Sequence, residues 1–228
     1  MTHASEAPAD GLALPELRLK PREGRRLSAG HLWVFSNEVD TERTPLAGFA
    51  PGAACRVIGD RDQFLGYAYV NPHALICARI LGRDARFPPG RSLLVHRLQV
   101  ALALRERLYA RPFYRLVHGE SDGLPGLVLD RYGDVVIGQA GTAGMEAHKA
   151  EVVAAVAQVI APRAMVWKND SGARDLEGLP SYVEAALGDA PEHVEVEENG
   201  VRFRVPMGSG QKPGGFYAPA ANRAAVRQ

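Results

Sequence analysis

A histidine, a serine and two acids follow one another closely in the run 118–122, and side chains of these types can do chemistry. Gly119-Glu120-Ser121-Asp122-Gly123 fits G-x-S-x-G, in which a hydrolase places its serine on a sharp turn between a strand and a helix. The sequence predicts a strand over 113–118, but Leu124-Pro125-Gly126 follows the serine. Proline and glycine there favour a turn over the first turn of a helix. The pattern therefore argues against a hydrolase.

The run 119–134 is typical of a β-meander instead. Asp122-Gly123 and Pro125-Gly126 predict a turn before a short strand, and Tyr132-Gly133-Asp134 predicts a second turn before the strand 135–139. We expect Asp122, Asp130 and Arg131 to fix these turns through hydrogen bonds and ion pairs, with no catalytic role.

The elements around the meander predict an α+β protein in three regions. After a disordered leader, residues 1–14, the first region covers 15–90. Glycine, proline, asparagine and aspartate residues divide this region into short predicted strands at 31–37, 54–58, 64–70 and 75–81. A short helix is predicted near 24–29. Such spacing predicts a small, mostly β barrel.

The second region, 91–190, opens with an amphipathic helix over 93–110. Its predicted apolar face consists of Leu94, Leu98, Ala101, Leu102 and Leu108. The meander follows, then a helix over 144–160 and a strand over 166–169. The third region, 191–228, begins with a hairpin over 194–205, because Asn199-Gly200 is the strongest short hairpin signal.

Composition limits the classes of protein that the chain can represent. It has 228 residues, of which 46% are hydrophobic and 23% charged, and this is an ordinary globular composition. No run approaches the roughly 18 apolar residues of a membrane span, and the first residues lack the features of an export signal. Cys55 and Cys77 lie in apolar, strand-like runs, which predicts two buried thiols in a reducing cytoplasm and neither a metal site nor a disulfide.

The net charge of +1 conceals a segregation of charge along the chain. Between residues 17 and 36 the bases Arg18, Lys20, Arg22, Arg25 and Arg26 face a single acid, Glu23. Arginines are also concentrated between 79 and 115, whereas 175–199 contains acids and no lysine or arginine. A GC-rich coding bias explains the abundance of arginine but not its clustering. The clustering allows a basic face for a polyanion.

Several cofactor motifs are missing from the sequence. No G-x-G-x-x-G follows a strand, and there is neither a P-loop nor a cysteine–histidine spacing typical of zinc. A doubly wound nucleotide fold needs alternating strands and helices over well above about 100 residues. We therefore expect no metal, and no cofactor site in this chain.

Three runs, in order, carry a resemblance to a known family: residues 17–39 (LRLKPREGRRLSAGHLWVFSNEV), residues 119–134 (GESDGLPGLVLDRYGD) and Gln211-Lys212-x-Gly214. Together they resemble the class I S-adenosylmethionine (SAM)-dependent large-subunit rRNA methyltransferases, whose best-known members methylate carbon five of a cytosine in 23S rRNA. The resemblance implies a PUA domain, an RNA-binding β pseudo-barrel, over 15–90. It also implies a small strand-strand-helix-strand-strand α/β-sandwich domain over 91–190 and, last, a Rossmann-like methyltransferase domain.

The resemblance also implies where chemistry lies in the family. The cofactor loop and the catalytic cysteine would lie beyond Gln228, so we expect a truncated methyltransferase domain, no catalytic residue, no SAM binding and no activity from this chain alone. At the entry to that domain Gln211, Lys212, Gly214, Asn222 and Arg223 agree with the family pattern. Pro213, Gly215, Ala218, Pro219 and Ala220 depart from it, which suggests a decayed or misread gene end.

The bases of the first region are candidates for contact with 23S rRNA. Lys20, Arg22, Arg25, Arg26 and His31 lie just before or beside Trp33, and bases of this kind bind phosphate. Trp33 and Phe35 are interpreted as alternating core residues of a strand; stacking on an unpaired base is the alternative for Trp33. Two functions remain open: the RNA-binding portion of an rRNA methyltransferase, or a stand-alone, non-catalytic RNA-binding protein with a PUA domain.

Overall fold

The structure, a computed structural model, describes residues 14–189, 191–198 and 201–206. Its first unit is one five-stranded sheet, ordered β1-β3-β4-β5-β2, with the short helix α1 (Arg25–Ser28) between the first two strands. The strands are β1 (Glu16–Arg18), β2 (Trp33–Phe35), β3 (Ala53–Ile58), β4 (Phe64–Val70) and β5 (Ile76–Gly82). The predicted strands and short helix of this region are confirmed, and β1 is an addition.

This first sheet curls until its two edges meet. Leu19, just after β1, forms an antiparallel bridge with Val39, which follows β2. Beside the bridge, the Lys20 amide donates to the Glu38 carbonyl at 2.8 Å and the Asp40 amide to the Arg18 carbonyl at 2.9 Å. Joined edges leave fewer unpaired backbone groups. The prediction of a small, mostly β barrel is thereby confirmed in outline.

The second unit, residues 91–189, is built on another five-stranded sheet, ordered β10-β9-β8-β7-β6. Only β8 and β9 pair in parallel, and helices make the crossover that parallel strands need. The elements are α2 (Arg91–Leu108), β6 (Phe113–His118), β7 (Leu127–Tyr132), β8 (Val135–Ala140), α3 (Ala143–Ala147), α4 (Lys149–Val159), β9 (Ala164–Asn169) and β10 (Tyr182–Leu187).

The predicted strand-strand-helix-strand-strand order is wrong in two details. Three strands precede the crossover, and the crossover helix is divided in two at His148, whose φ and ψ of −101° and 17° leave the helical range. Thr142 begins the first half, since its hydroxyl accepts from the Met145 amide at 3.4 Å. The strand β10 is the second strand after the crossover in that order, but the sequence does not locate it, because its exposed residues lie in an acidic run without clear alternation.

The second sheet is covered on both faces. On one face α2 and α4 supply Leu98, Val152 and Val156 to a core that includes Val136. On the other face Val194 of the hairpin packs near Val135 and Ile137. The hairpin strands β11 (His193–Glu198) and β12 (Val201–Pro206) pair in register as predicted, although Asn199-Gly200 lies outside the described residues. Burial on both sides explains why β8 reads as a nearly continuous apolar run.

The apolar face predicted for α2 is correct in its first half only. Leu94, Leu98 and Ala101 are buried, but Leu108 is 65% exposed. Arg91, at the start of α2, donates to Gln158, near the end of α4, at 3.1 Å, and α2 with 18 residues is longer than α4 with 11. Within the described residues no helix is both long and apolar enough to cross a bilayer.

Candidate nucleic-acid interface

One row of side chains carries the contact between the two sheets. Tyr69 on β4, Arg79 on β5 and Trp33 on β2 are partners in the sheet register, so their side chains share one face. This face is turned toward the loops of the second sheet. Along the row the exposed fraction rises from 1% for Tyr69, through 12% for the Arg79 side chain, to 41% for Trp33. The row therefore leads from a buried centre to an open edge.

Tyr69 anchors the buried end of this row. Its hydroxyl donates to the Pro125 carbonyl at 2.5 Å and accepts from the Thr142 hydroxyl at 3.0 Å. Burial raises the pKa of the Tyr69 phenol, so the group stays neutral. Gly144 packs directly on the ring. Tyr69 thus fixes the loop after β6 and the start of α3 to the first sheet.

Glu177 fixes the middle of the row. Glu177 is only 7% exposed. It accepts from Arg79 Nη1 at 2.7 Å, from Asn71 Nδ2 at 2.8 Å and from the Ala143 amide at 3.2 Å. Because three donors from both units surround it, this carboxylate ties the two sheets together and is not a free base. Sequence reasoning missed Glu177, since nothing in its local sequence marks it.

The G-x-S-x-G run lies at the open end and forms no nucleophile elbow. Residues Gly119–Asp122 form a single 3-10 turn, and Gly123 follows with φ of +70°, a left-handed conformation that suits glycine. No helix follows; the chain enters β7 instead. Asp122 accepts from Arg105 Nη1 and Nη2 at 2.6 and 2.7 Å and from the His118 amide at 2.7 Å. The prediction of a turn in place of a helix after Ser121 is confirmed.

Asp130 and Arg131 also have structural partners, as predicted. Asp130 is buried and accepts from Arg115 Nε at 3.0 Å and Nη2 at 3.2 Å. Burial raises the pKa of Asp130 although Arg115 opposes the shift. Arg131 Nη1 donates to the Tyr114 hydroxyl at 3.2 Å. These contacts stabilise the first two strands of the meander.

The structure brings two of the predicted RNA-binding residues together. Arg26 and His31 line one pocket with Leu32, Trp33 and Glu120. Arg26 is only partly available, because its Nη2 donates to the buried Glu38 carboxylate at 2.6 Å and its guanidinium lies 5.0 Å from the Phe35 ring centroid. His31 is exposed.

The remaining predicted residues lie outside that pocket. Lys20, Arg22 and Arg25 are all exposed around the start of α1. Lys20 Nζ donates to the Asn37 carbonyl at 2.9 Å, whereas the Arg22 amide donates to the Asp60 carboxylate at 3.0 Å. Gln211, Lys212, Gly214, Asn222 and Arg223 lie outside the described residues, as does the predicted leader apart from residue 14.

The interpretation of Trp33 as a core residue is wrong. Val34 is the residue of β2 that points into the barrel, with no exposed surface, so the alternation has the opposite phase. Trp33 lies on the other face of an edge strand, where Nε1 donates to Glu120 Oε1 at 2.8 Å. Its ring is left partly in solvent beside the second unit.

The two cysteines are buried and unpaired, as expected. Burial raises the pKa of each thiol to about 12. Within the part of the chain that the structure describes, no three histidine, cysteine or acidic side chains cluster in a way that could hold a metal ion.

Comparison with known proteins assigns the first sheet. A family described as a PUA-like domain matches residues 17–83. These residues are therefore similar to a PUA-like domain. Its boundaries enclose most of the first sheet and all the bases predicted to contact RNA.

Longer similarities extend over most of the chain. Proteins named ribosomal RNA large subunit methyltransferase I are 32% identical over 214 residues in Alteromonas mediterranea and 34% over 206 residues in Photobacterium profundum. These matches cover 91% and 87% of this chain but 52% and 50% of the relatives. The chain thus spans about half the length of the curated relatives that it matches.

Solved structures show the same fold. A proposed SAM-dependent methyltransferase from Streptococcus mutans matches with a TM-score of 0.75 at 20% identity, over 93% of this chain and 54% of that one. A proposed methyltransferase complexed with SAH matches with a TM-score of 0.76 at 20% identity, over 93% of this chain and 53% of its own. At this identity the likeness concerns the fold alone.

Proposed function

We propose that this chain is the RNA-binding portion of a SAM-dependent methyltransferase that acts on large-subunit rRNA. The observation that carries the proposal is the PUA-like match at 17–83 within a chain whose relatives, along most of its length, are named for that activity. The exposed bases around α1 belong to the matched region and supply the positive charge that phosphate contact needs.

The finer parts of the proposal rest on the resemblance described above. They are 23S rRNA as the partner, carbon five of a cytosine as the target, SAM as the cofactor of the whole protein, and a cytoplasmic location. The division into 15–90, 91–190 and 191–228 is likewise proposed. It is supported by two main cores, one built around Val34 and Val57 in the first sheet and one around Leu129 and Val156 in the second.

We propose that Lys20, Arg22, Arg25, Arg26 and His31 form the RNA contact. Lys20, Arg22 and Arg25 support this contact because they are exposed and none of them forms a buried ion pair with a described residue. Their charges are therefore available to phosphate. Arg26 differs, because a buried carboxylate already holds it, and its contribution would be shared with the stability of the barrel. His31 adds an exposed ring at the entrance of the adjoining pocket.

Fluorescence anisotropy with an rRNA fragment tests the proposal directly. The purified chain is titrated with a labelled in-vitro transcript of large-subunit rRNA and, as a control, with duplex DNA of equal length. We expect preferential RNA binding that weakens by orders of magnitude between low and physiological salt. Equal affinity for the DNA, or no binding at low salt, would overturn the proposal.

The alternative is a stand-alone RNA-binding protein without chemistry. The observation in its favour is that two acids beside the junction of the sheets, Asp122 and Glu177, are held in ion pairs with Arg105 and Arg79 and are not free bases. We expect isothermal titration calorimetry to show no SAM binding by this chain. One site per chain with a micromolar dissociation constant would contradict that expectation and favour an active methyltransferase.

A further inference from the structure

Several pockets lie at the junction of the two sheets around one shared side chain, Glu120. Three neighbouring pockets, with volumes of about 430, 230 and 360 Å³, all include Glu120 in their walls. Arg83 and Arg97 line the first, Trp33 the second, and His118 and Gln139 the third. Because one side chain borders all three pockets, we treat them as one feature, the junction groove.

Trp33 is a large, partly exposed aromatic side chain that lines one of these pockets, and this pocket shares Glu120 with the other two. Its indole edge is fixed, since Nε1 donates to Glu120 Oε1 at 2.8 Å, and Glu120 Oε1 in turn lies 4.0 Å from Arg79 Nε. The ring face remains partly in solvent. An aromatic ring already held in one orientation loses little rotational freedom when a planar partner stacks on it.

The charges around Trp33 indicate the chemistry of that partner. The guanidinium of Arg26 reaches the Trp33 carbonyl at 3.4 Å, and Arg83 Nη2 donates to the His31 carbonyl at 2.7 Å. Arg26 lines the same pocket as Trp33, and Arg83 lines the neighbouring pocket, which shares Leu32 and Glu120 with it. Proteins that bind single-stranded nucleic acids combine positively charged side chains, which contact the phosphates, with exposed aromatic rings, on which a nucleobase stacks.

We propose that the exposed face of Trp33 stacks an unpaired RNA base in the junction groove, with Glu120 as the positioning residue for the indole. The inference rests on the proposed RNA binding and assigns it to a place between the two units. A base within a duplex has both faces covered by its neighbours, so only a single-stranded or bulged nucleotide can reach the ring. The site therefore distinguishes single-stranded or bulged RNA from duplex RNA, whereas recognition of the base sequence depends on other contacts.

Intrinsic fluorescence of the full chain tests this proposal. The chain has two tryptophans, and Trp167 is 1% exposed, so RNA that quenches emission by contact acts on Trp33. We expect a single-stranded oligoribonucleotide to quench the emission along the same binding curve as its anisotropy, and the same sequence in a duplex to quench it weakly. Equal quenching by the duplex would overturn the requirement for an unpaired base.

Substitutions give the second measurement. Stacking on one base is worth about 1–3 kcal/mol, so Trp33→Ala should weaken single-strand binding about 5- to 150-fold, and Trp33→Phe should restore most of it. Phe87→Ala is the matched control, because Phe87 is also exposed beside an arginine, Arg86, but does not line the groove. This variant should bind as the parent does. Thermal melting of each variant identifies a loss of fold.

Glu120 requires a readout of its own. Glu120→Ala should increase the mobility of Trp33 in time-resolved fluorescence anisotropy and weaken RNA binding, while Glu120→Gln keeps an acceptor and should restore both. If Trp33→Ala binds RNA as the parent does and RNA does not quench the emission of the parent, the stacking proposal is overturned. The proposed function would still stand. Absence of RNA binding in the parent would overturn both.

Discussion

The aromatic ring of Tyr69 occupies the space that a side chain on Gly144 would need. A Cβ placed on Gly144 would lie 2.0 Å from Tyr69 Cγ, well inside contact distance. Tyr69 belongs to the first sheet and Gly144 to the first turn of α3 in the second unit. The two units therefore pack against each other with no side chain between ring and helix backbone, and this contact sets the position of the junction groove.

Gly144→Ala should destabilise the protein. Alanine is a better helix former than glycine by about 1 kcal/mol, so helix propensity alone predicts a gain in stability. The clash with Tyr69 outweighs it, and we expect a net loss of about 1–3 kcal/mol in the free energy of unfolding, measured in urea. Gly172→Ala is the control, because a Cβ there meets nothing within 4 Å. A more stable Gly144→Ala variant would show that the ring moves aside freely.

Glu177→Ala should cost more than the loss of an exposed carboxylate. The change leaves Arg79 and Asn71 without their shared acceptor in a buried place, and breaking a buried ion pair typically costs about 3–5 kcal/mol. Glu184→Ala removes an exposed partner of Lys149 and should cost at most about 1 kcal/mol. Urea denaturation measures both. Similar losses in the two variants would mean that the junction between the units contributes little to stability.

The sequence predicts elements more reliably than the contacts between them. Periodicity and turn residues identify β4, α2 and the meander, because each depends on neighbours in the chain. The pairing of Trp33 with Glu120 joins residues 87 positions apart, and that of Asn71 with Glu177 joins residues 106 apart. Neither pair has a local pattern. The phase of β2 is also ambiguous in the sequence, since Trp33 and Val34 are both apolar and the local pattern does not decide which of them faces the core of the first sheet.

The two thiols should be unreactive in the folded protein. Since burial raises the pKa of Cys55 and Cys77 to about 12, both remain protonated at pH 8 and inaccessible. A chromogenic disulfide reagent should therefore react with neither cysteine in buffer and with both in denaturant. Rapid reaction of either thiol in buffer would contradict their burial.

The same pKa shifts predict how stability depends on pH. Between about 9, where unfolded thiols ionise, and about 12 the unfolded chain binds fewer protons than the folded one, so stability falls as pH rises. Replacing both cysteines by alanine removes this contribution. The variant should show a shallower loss of stability between pH 9 and 11 than the parent in urea titrations. Parallel pH profiles would contradict the assignment.

The exposed bases near α1 should account for a measurable part of the salt dependence of RNA binding. Lys20, Arg22 and Arg25 are replaced together by glutamine, and Arg26 is left in place because its loss would strand the buried Glu38. Each lost phosphate contact should lower the slope of log affinity against log salt by about one, with similar weakening for all RNA sequences. The control replaces Arg91, Arg107 and Arg163, which are also exposed arginines of the second unit, although Arg163 forms an ion pair with Asp134 at 2.7 Å. Anisotropy titrations distinguish the two triple variants. They cover about 50 to 200 mM salt, because phosphate contacts weaken strongly over this range. If both lose affinity alike, the RNA contact extends over the whole molecule and is not centred on the PUA-like domain.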